Sequence, residues 1–172
     1  INTKANGNAW FVKELIEVPN HNEWIQSLAT LNSKQQASLL TKDFKALSKN
    51  RFEWDSIQAP TISLSNYLPN KLVYKVSNSK AGFAVFSEVY YAQGWQALID
   101  GIEAPIIPVN YTLRGIEVPA GDHEIIFKFK PAVVVIGSNI ALLSSILSFL
   151  VLGLSLGRYF KNLSKAAIPS NE

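Results

Sequence analysis

The sequence predicts a mainly β fold, an antiparallel β-sandwich of jelly-roll type with one short helix, followed by a single C-terminal transmembrane α-helix. Two observations lead to this prediction. Apolar and polar residues alternate with a period of two through much of residues 1–131, and turn residues separate the runs, which is typical of hairpins. The chain then carries 24 residues without a charge, from Val133 to Leu156, and a helix of that length can cross a bilayer.

The predicted strands are clearest after the turn at Pro69 and Asn70. They are KLVYKV (71–76), GFAVFSEVYY (82–91), WQALI (95–99), IEAPIIPV (102–109), LRGIEV (113–118) and HEIIFKF (123–129). Asp100 and Gly101 predict a type I′ hairpin turn, because both central residues of that turn adopt positive φ. In the last run Ile125, Phe127 and Phe129 face one way and Glu124, Ile126, Lys128 and Lys130 the other, so one face of this sheet should be buried and the other mostly wet.

The first third of the chain has a mixed pattern. AWFVKELIEV (9–18) is predicted to be one strand, and residues 36–40 are predicted to be another strand rather than a helical turn. Asn20 and Glu23 have the spacing of a capping box, which would open a short helix running to Leu31. Residues 44–55 are predicted to be a loop or an irregular crossing. The total of eight or nine short strands favours a sandwich.

Composition excludes several kinds of functional site. The chain has no Cys, which excludes disulfides, thiol catalysis, structural zinc fingers and Fe–S clusters. His21 and His123 are the only histidines, so a metal site built from several imidazoles is not expected. The sequence contains no phosphate-binding Gly-rich loop and no nucleophile elbow. We therefore assign no catalytic residue, no metal ligand and no cofactor.

The distribution of charge indicates a membrane rather than a nucleic acid as the partner. Residues 1–131 hold 13 Lys and Arg against 12 Asp and Glu, whereas Arg158, Lys161 and Lys165 follow the apolar run with Glu172 as the one acid. The positive-inside rule then predicts an extracytoplasmic domain at 1–131, a transmembrane helix at 132–157 and a short basic cytoplasmic tail at 158–172. Because INTKANGNAW contains no apolar export segment, we expect the chain to be the C-terminal piece of a longer protein.

Several short motifs in residues 85–131 occur together. They are an aromatic pair, Gly-Trp, Asp-Gly, Asn with an aromatic residue, an Arg, Pro-Ala-Gly-x-His, and an aromatic residue shortly before Pro. The residues that carry them are Tyr90, Tyr91, Gly94, Trp95, Asp100, Gly101, Asn110, Tyr111, Arg114, Pro119, Ala120, Gly121, His123, Phe129 and Pro131. With the apolar run that follows, this region resembles the C-terminal region of the YfhO family of bacterial membrane proteins. GNAWFV (7–12) also resembles the start of that family's last outer domain.

The resemblance implies a large polytopic parent in the bacterial cytoplasmic membrane, similar to GT-C glycosyltransferases, which use lipid-linked sugars to glycosylate cell-envelope polymers. Such enzymes keep their catalytic acid near their first helices, so no catalytic residue carries over to this chain. We expect a non-catalytic module that orients a glycan or a polyprenyl-phosphate sugar. The alternatives are a structural, assembly or protein-interaction module anchored by one helix, and a single-span surface protein that acts alone. The expected partners are the bilayer and the remaining helices of the parent.

Six residues are candidates for ligand binding: Trp95, Tyr90, Tyr91, Tyr111, Arg114 and His123. Aromatic rings suit the apolar faces of sugars, and a guanidinium suits phosphate. Each residue also has a structural interpretation. The aromatic residues would pack in the sheet core, Arg114 would bridge to Glu103, Glu117 or a backbone carbonyl, and His123 would cap a hairpin. Asp100 is interpreted as a turn former.

Overall fold

The computed structural model describes residues 5–45, 47, 51–54 and 58–166, in two compact units divided between Lys130 and Pro131. The first unit is built from short strands and two short helices, and the second is a single long helix. The elements are β1 Ala9–Val12, β2 Glu14–Val18, α1 His21–Ser27, β3 Gln36–Leu40, α2 Thr41–Phe44, β4 Thr61–Leu68, β5 Lys71–Asn78, β6 Gly82–Val89, β7 Trp95–Ile99, β8 Ile102–Ala104, β9 Ile107–Val109, β10 Leu113–Val118, β11 Gly121–Phe129 and α3 Ala132–Ala166.

Two antiparallel sheets form the sandwich. The four-stranded sheet has the order β1-β6-β10-β9, and the five-stranded sheet has the order β4-β5-β11-β7-β8. Their facing side chains make one core, in which Phe86 of the first sheet packs on Phe127 and Tyr74 of the second with ring centroids 4.8 and 4.9 Å away. The antiparallel sandwich predicted from the sequence is therefore confirmed.

A small parallel sheet, β2 paired with β3, accompanies the sandwich and corrects the prediction of one strand over residues 9–18. β1 pairs with β6, whereas β2 leaves for a different partner. The change occurs at Lys13, whose N–H donates to Gln35 O and whose carbonyl accepts from Phe52 N. Because these partners are distant in sequence, the local alternation of AWFVKELIEV could not reveal the break.

The predicted helix cap is present, but α1 is shorter than expected. The Asn20 side chain accepts a hydrogen bond from Glu23 N at 3.0 Å, which satisfies one of the free N–H groups of the first turn. The helix ends at Ser27 rather than at Leu31. A second helix, the single turn α2, was not predicted, and neither was strand β4. Residues 36–40 form the expected strand, and part of the loop predicted at 44–55 lies outside the described residues.

Residues 102–109 form two strands rather than the predicted single one. β8 pairs with β7 in the five-stranded sheet, and β9 pairs with β10 in the four-stranded sheet. Pro105 lies between them, and a proline has no N–H with which to continue a ladder. The preceding turn is as predicted, since Asp100 has φ 50° and Gly101 has φ 87°.

The second unit is the apolar helix that the sequence predicted. α3 has 35 residues, a length of about 52 Å, and residues 132–162 are long and apolar enough to cross a membrane. The Ser144, Ser145 and Ser148 hydroxyls donate to carbonyls three or four residues earlier, so these polar groups are satisfied within the helix. The helix continues through Arg158 into the segment predicted as a tail.

Candidate functional site

A groove beside β7 gathers three of the six candidate residues. Its volume is about 470 Å³, within the usual range for ligand sites. The residues that line it are Tyr90, Tyr91, Ala92, Trp95, Gln96, Ala97, Glu103, Ala104, Pro105 and Ile106. Aromatic rings thus share one concave surface with a carboxylate and an amide. Gln96 was not a candidate, because nothing in its local sequence distinguishes it from any other exposed strand residue.

Trp95 is held in place by its neighbours. The Arg114 guanidinium lies over its ring, 4.3 Å from the centroid, and the Phe129 ring is 5.2 Å away. Phe129 also lies against Gly94, where an added Cβ would collide with the aromatic ring. The Gly-Trp pair therefore gives Phe129 the space to pack beside Trp95.

Arg114 itself is in the core, with 2% of its surface exposed. Its Nε donates to the Val89 carbonyl at 3.0 Å, and its Nη2 is 3.8 Å from Glu88 Oε2. A backbone carbonyl was one of the partners expected from the sequence, whereas Glu88 was not considered. Burial lowers the pKa of Arg114, but a guanidinium remains charged in proteins. Arg114 is thus a buried cation surrounded mainly by rings and a carbonyl.

Tyr74 is a second polar residue in this core that sequence reasoning missed. Its hydroxyl and the Nη1 of Arg114 are both buried, and neither has a hydrogen-bond partner among the residues that the structure describes. Burial raises the pKa of Tyr74 to about 12, with a further contribution from the charge of Glu88. Tyr74 therefore stays protonated. The alternation of Leu72, Tyr74 and Val76 with Val73 and Lys75 predicted a strand but gave no sign of a nearby guanidinium.

Tyr111 lies in a different aromatic cluster, near α1. Its ring meets Trp24 at 5.6 Å and His21 at 6.2 Å, both edge to face. The preceding Asn110 is buried and exchanges two hydrogen bonds of 2.8 Å with the backbone of Ser38. The structure thus uses this Asn-Tyr pair to attach β3 and α1 to the sandwich, and it does not bring Tyr111 to the groove.

His123 is also separate from the groove and links two hairpin turns. Its Nδ1 is 2.6 Å from Asp100 Oδ2, and its Nε2 is 3.2 Å from the Ala120 carbonyl. Asp100 Oδ1 accepts from Glu124 N at 2.8 Å. The hydrogen bond to Asp100 raises the pKa of His123, and the hydrogen bonds from Glu124 and His123 lower the pKa of Asp100.

The described residues contain no group of three or more His, Asp or Glu that could hold a metal ion. Asp100, Asp122 and Glu124 carry three carboxylates in or beside hairpin turns. The carboxylate of Asp100 already binds His123. The chemistry available in the groove is therefore stacking and hydrogen bonding.

The similarity of the chain to family models, curated proteins and solved structures is as follows. The family model described as bacterial membrane protein YfhO matches residues 15–141. No curated protein and no solved structure matches the chain. The matched range includes the groove, the buried Arg114 and the beginning of α3.

The His123–Asp100 pair predicts a specific pH dependence of stability. Folding raises the pKa of His123, so protonated His123 stabilises the folded state. This stabilisation is complete below pH 6.5, the ordinary pKa of histidine, and is lost as pH rises through the pKa of the folded state. Folding lowers the pKa of Asp100, so ionised Asp100 stabilises the folded state. This stabilisation is complete above pH 3.8 and is lost as pH falls through the pKa of the folded state.

Asp100→Asn keeps the turn and the acceptor for Glu124 N but removes the charge. It should lower the free energy of unfolding more at about pH 5.5 than at about pH 9, measured by urea unfolding. Glu53→Gln is the control, because Glu53 is an exposed acid that takes no part in the His123–Asp100 pair, and an equal loss for Asp100→Asn at both pH values would contradict the pairing.

Truncation of Arg114 should destabilise the sandwich chiefly by leaving a cavity beneath Trp95. We expect Arg114→Ala to lower the free energy of unfolding by about 3–4 kcal/mol and Arg114→Met, which refills the volume, by about 1–2 kcal/mol. Tryptophan fluorescence during denaturant unfolding of the full chain in detergent measures both. Arg51→Ala is the control, because its pair with Glu14 is exposed. Equal losses for Ala and Met would show that charge, and not volume, dominates.

Proposed function

The chain belongs to the YfhO family of bacterial membrane proteins, and from that premise we propose that it is a non-catalytic, extracytoplasmic module of a longer, polytopic parent. In this proposal the parent transfers sugars from a lipid-linked donor to cell-envelope glycopolymers, as a GT-C glycosyltransferase does. The module orients the glycan or the lipid-linked sugar.

The groove is the observation that carries this proposal. Tyr90, Tyr91 and Trp95 offer rings on which the C–H faces of a pyranose can stack. Glu103 and Gln96 offer a carboxylate and an amide to sugar hydroxyls. Because Arg114 and Phe129 fix the Trp95 ring, the stacking surface is formed before a ligand arrives, which reduces the entropy cost of binding.

The groove residue Trp95 pairs with a strand end that is close in sequence to the apolar helix. This position supports the proposal that the bound sugar is linked to a lipid. Trp95 pairs with Phe129 in the ladder between β7 and β11. Phe129 is three residues before Ala132, where the apolar helix begins. Three residues span at most about 11 Å, so the strand end beside Trp95 is tethered close to the start of α3 by chain length alone.

The orientation in the proposal follows from the charges after the apolar run. Arg158, Lys161 and Lys165 lie beyond it, and positively charged flanks remain in the cytoplasm. The sandwich is then on the outer side of the cytoplasmic membrane, where envelope glycopolymers are glycosylated.

Two surface substitutions test sugar binding without disturbing the core. Tyr91→Ala removes a half-exposed ring from the groove, and Glu103→Gln removes its carboxylate charge. We expect each to weaken binding about tenfold, which corresponds to about 1.4 kcal/mol. The measurement is a titration of the full chain in detergent with glucose- and N-acetylglucosamine-containing oligosaccharides, followed by calorimetry.

Tyr67→Ala is the matched control, since Tyr67 is an exposed tyrosine that does not line the groove. It should bind the oligosaccharides as the unchanged chain does. If all three variants bind equally, or if no oligosaccharide binds the unchanged chain, the orienting role is wrong.

A pattern in α3 favours the second candidate function, an assembly module. Gly153 and Gly157 are four residues apart. In an α-helix this spacing places them on one face as a short stripe of small residues, which allows close approach of another membrane helix. An added Cβ at Gly153 or Gly157 meets nothing within 4 Å, so no residue that the structure describes covers this stripe.

Substitutions in α3 separate the two functions. If assembly is the main role, Gly153→Leu with Gly157→Leu should lower the amount of the intact protein in membranes severalfold, because the stripe can no longer pack closely. Ser155→Leu, which lies on the opposite face, is the matched control. Quantitative immunoblots of membranes measure the effect. Unchanged levels for the double variant would exclude the assembly role of this stripe.

A further inference from the structure

One end of the five-stranded sheet exposes apolar side chains next to a tight turn. Tyr67 and Leu68, the last two residues of β4, are 64% and 45% exposed. The turn Pro69–Asn70 follows them, and the Asn70 carbonyl accepts a hydrogen bond of 2.9 Å from Phe129 N. The β4–β5 turn is therefore fixed to the end of β11, the strand that leads to α3.

The same end of the sheet is basic. Lys71 and Lys128 are directly opposite each other in the ladder between β5 and β11, and Lys130 follows the end of β11. In the part of the chain that the structure describes, none of these three lysines forms an ion pair. We name this surface the basic end, and it consists of Tyr67, Leu68, Lys71, Lys128 and Lys130.

The opposite end of these strands holds more acids than lysines, so charge differs along the sheet: Lys75, opposite Glu124 in the ladder, and Lys80, in the turn after β5, stand against three carboxylates. Asp122 and Glu124 lie at the start of β11, and Asp100 follows β7 at the same end. The 5-residue strand β7 and the 9-residue strand β11 run between the two ends. This arrangement favours the approach of an anionic surface to the basic end and disfavours its approach to the other.

Chain connectivity keeps Lys130, one residue of the basic end, near the start of the apolar helix. Lys130 is two residues before Ala132, and two residues span at most about 7 Å whatever the angle between the two units. An aromatic residue and several lysines beside an apolar helix are the residue types found at the headgroup level of membranes. Lysines near that level are attracted to anionic lipids.

We propose that the basic end docks onto the headgroup region of a bilayer containing anionic phospholipid. Tyr67 and Leu68 enter the interface, and the three lysines contact lipid phosphates. This inference rests on α3 lying in the membrane, as the proposed function requires, but it does not depend on sugar binding. Docking would hold the sheet at a fixed height, with Trp95 of the groove on the strand next to β11.

The absence of Cys from the chain allows a direct test. Single cysteines are introduced by Leu68→Cys, at the basic end, and by Thr61→Cys, at the far end of the same strand and also exposed. Ser148→Cys marks the middle of α3. Each is labelled with a fluorophore in the full chain, which is reconstituted into vesicles of phosphatidylcholine with or without phosphatidylglycerol. Quenching by lipids brominated near the headgroup, or deep in the acyl chain, reports the depth of the label.

We expect the label at position 68 to be quenched by shallow bromines at least about twofold more than the label at 61, and more strongly when phosphatidylglycerol is present. Replacing Lys71, Lys128 and Lys130 by Gln should remove the dependence on phosphatidylglycerol. Equal quenching at 68 and 61 would overturn docking. Equal quenching at 68 with and without phosphatidylglycerol would overturn the role of anionic lipid.

The label at position 148 separates this inference from the function proposed above. Quenching of that label by deep bromines shows that α3 is inserted, and its absence would overturn both the anchored module and the docking. Tyr91→Ala changes the groove but leaves the basic end intact, so it should not alter quenching at 68. If the unchanged chain binds no oligosaccharide but its label at 68 is quenched normally, the orienting role is contradicted and docking remains supported.

Discussion

The buried guanidinium of Arg114 joins the two layers of this domain. Arg114 belongs to β10 in the four-stranded sheet, whereas Trp95 and Phe127, the rings it packs against at 4.3 and 5.1 Å, belong to the five-stranded sheet. Its nearest carboxylate oxygen is 3.8 Å away, so ring faces and a backbone carbonyl replace much of the solvation that the cation loses. A buried cation of this kind tolerates little displacement of its neighbours, because any partner that moves leaves charge uncompensated.

The packing around buried Arg114 also restricts a surface residue, Trp95. One and the same indole packs on the core cation and lines the groove, and Phe129 packs beside it in space that Gly94 leaves open. Most of the residues that carry the family resemblance therefore have structural roles. Asn110 attaches β3 to the sandwich, and the two turn residues Asp100 and His123 hold each other.

The sequence was sufficient where structure depends on local pattern. Strands β5, β6, β7, β10 and β11 follow from alternation, and the turn at Asp100 follows from its Asp-Gly pair. Sequence reasoning failed where the chain changes sheets, at Lys13 and at Pro105, because the new partners are distant in sequence. For the same reason it could not show that Trp95, Tyr90 and Tyr91 line one groove while Tyr111 and His123 lie elsewhere. Such groupings depend on strand register, which is not a property of neighbouring residues.

In the proposed function the groove binds a sugar and does not cleave it. Glycoside hydrolysis uses two carboxyl groups on opposite sides of the bond that breaks, and among the described residues that line the groove Glu103 is the single carboxylate. The other acids of the five-stranded sheet, Asp100, Asp122 and Glu124, lie at its far end. One carboxylate with three rings and an amide can hold a sugar and select its orientation. A module of this composition would contribute position to a reaction whose acid and base come from another part of a longer protein.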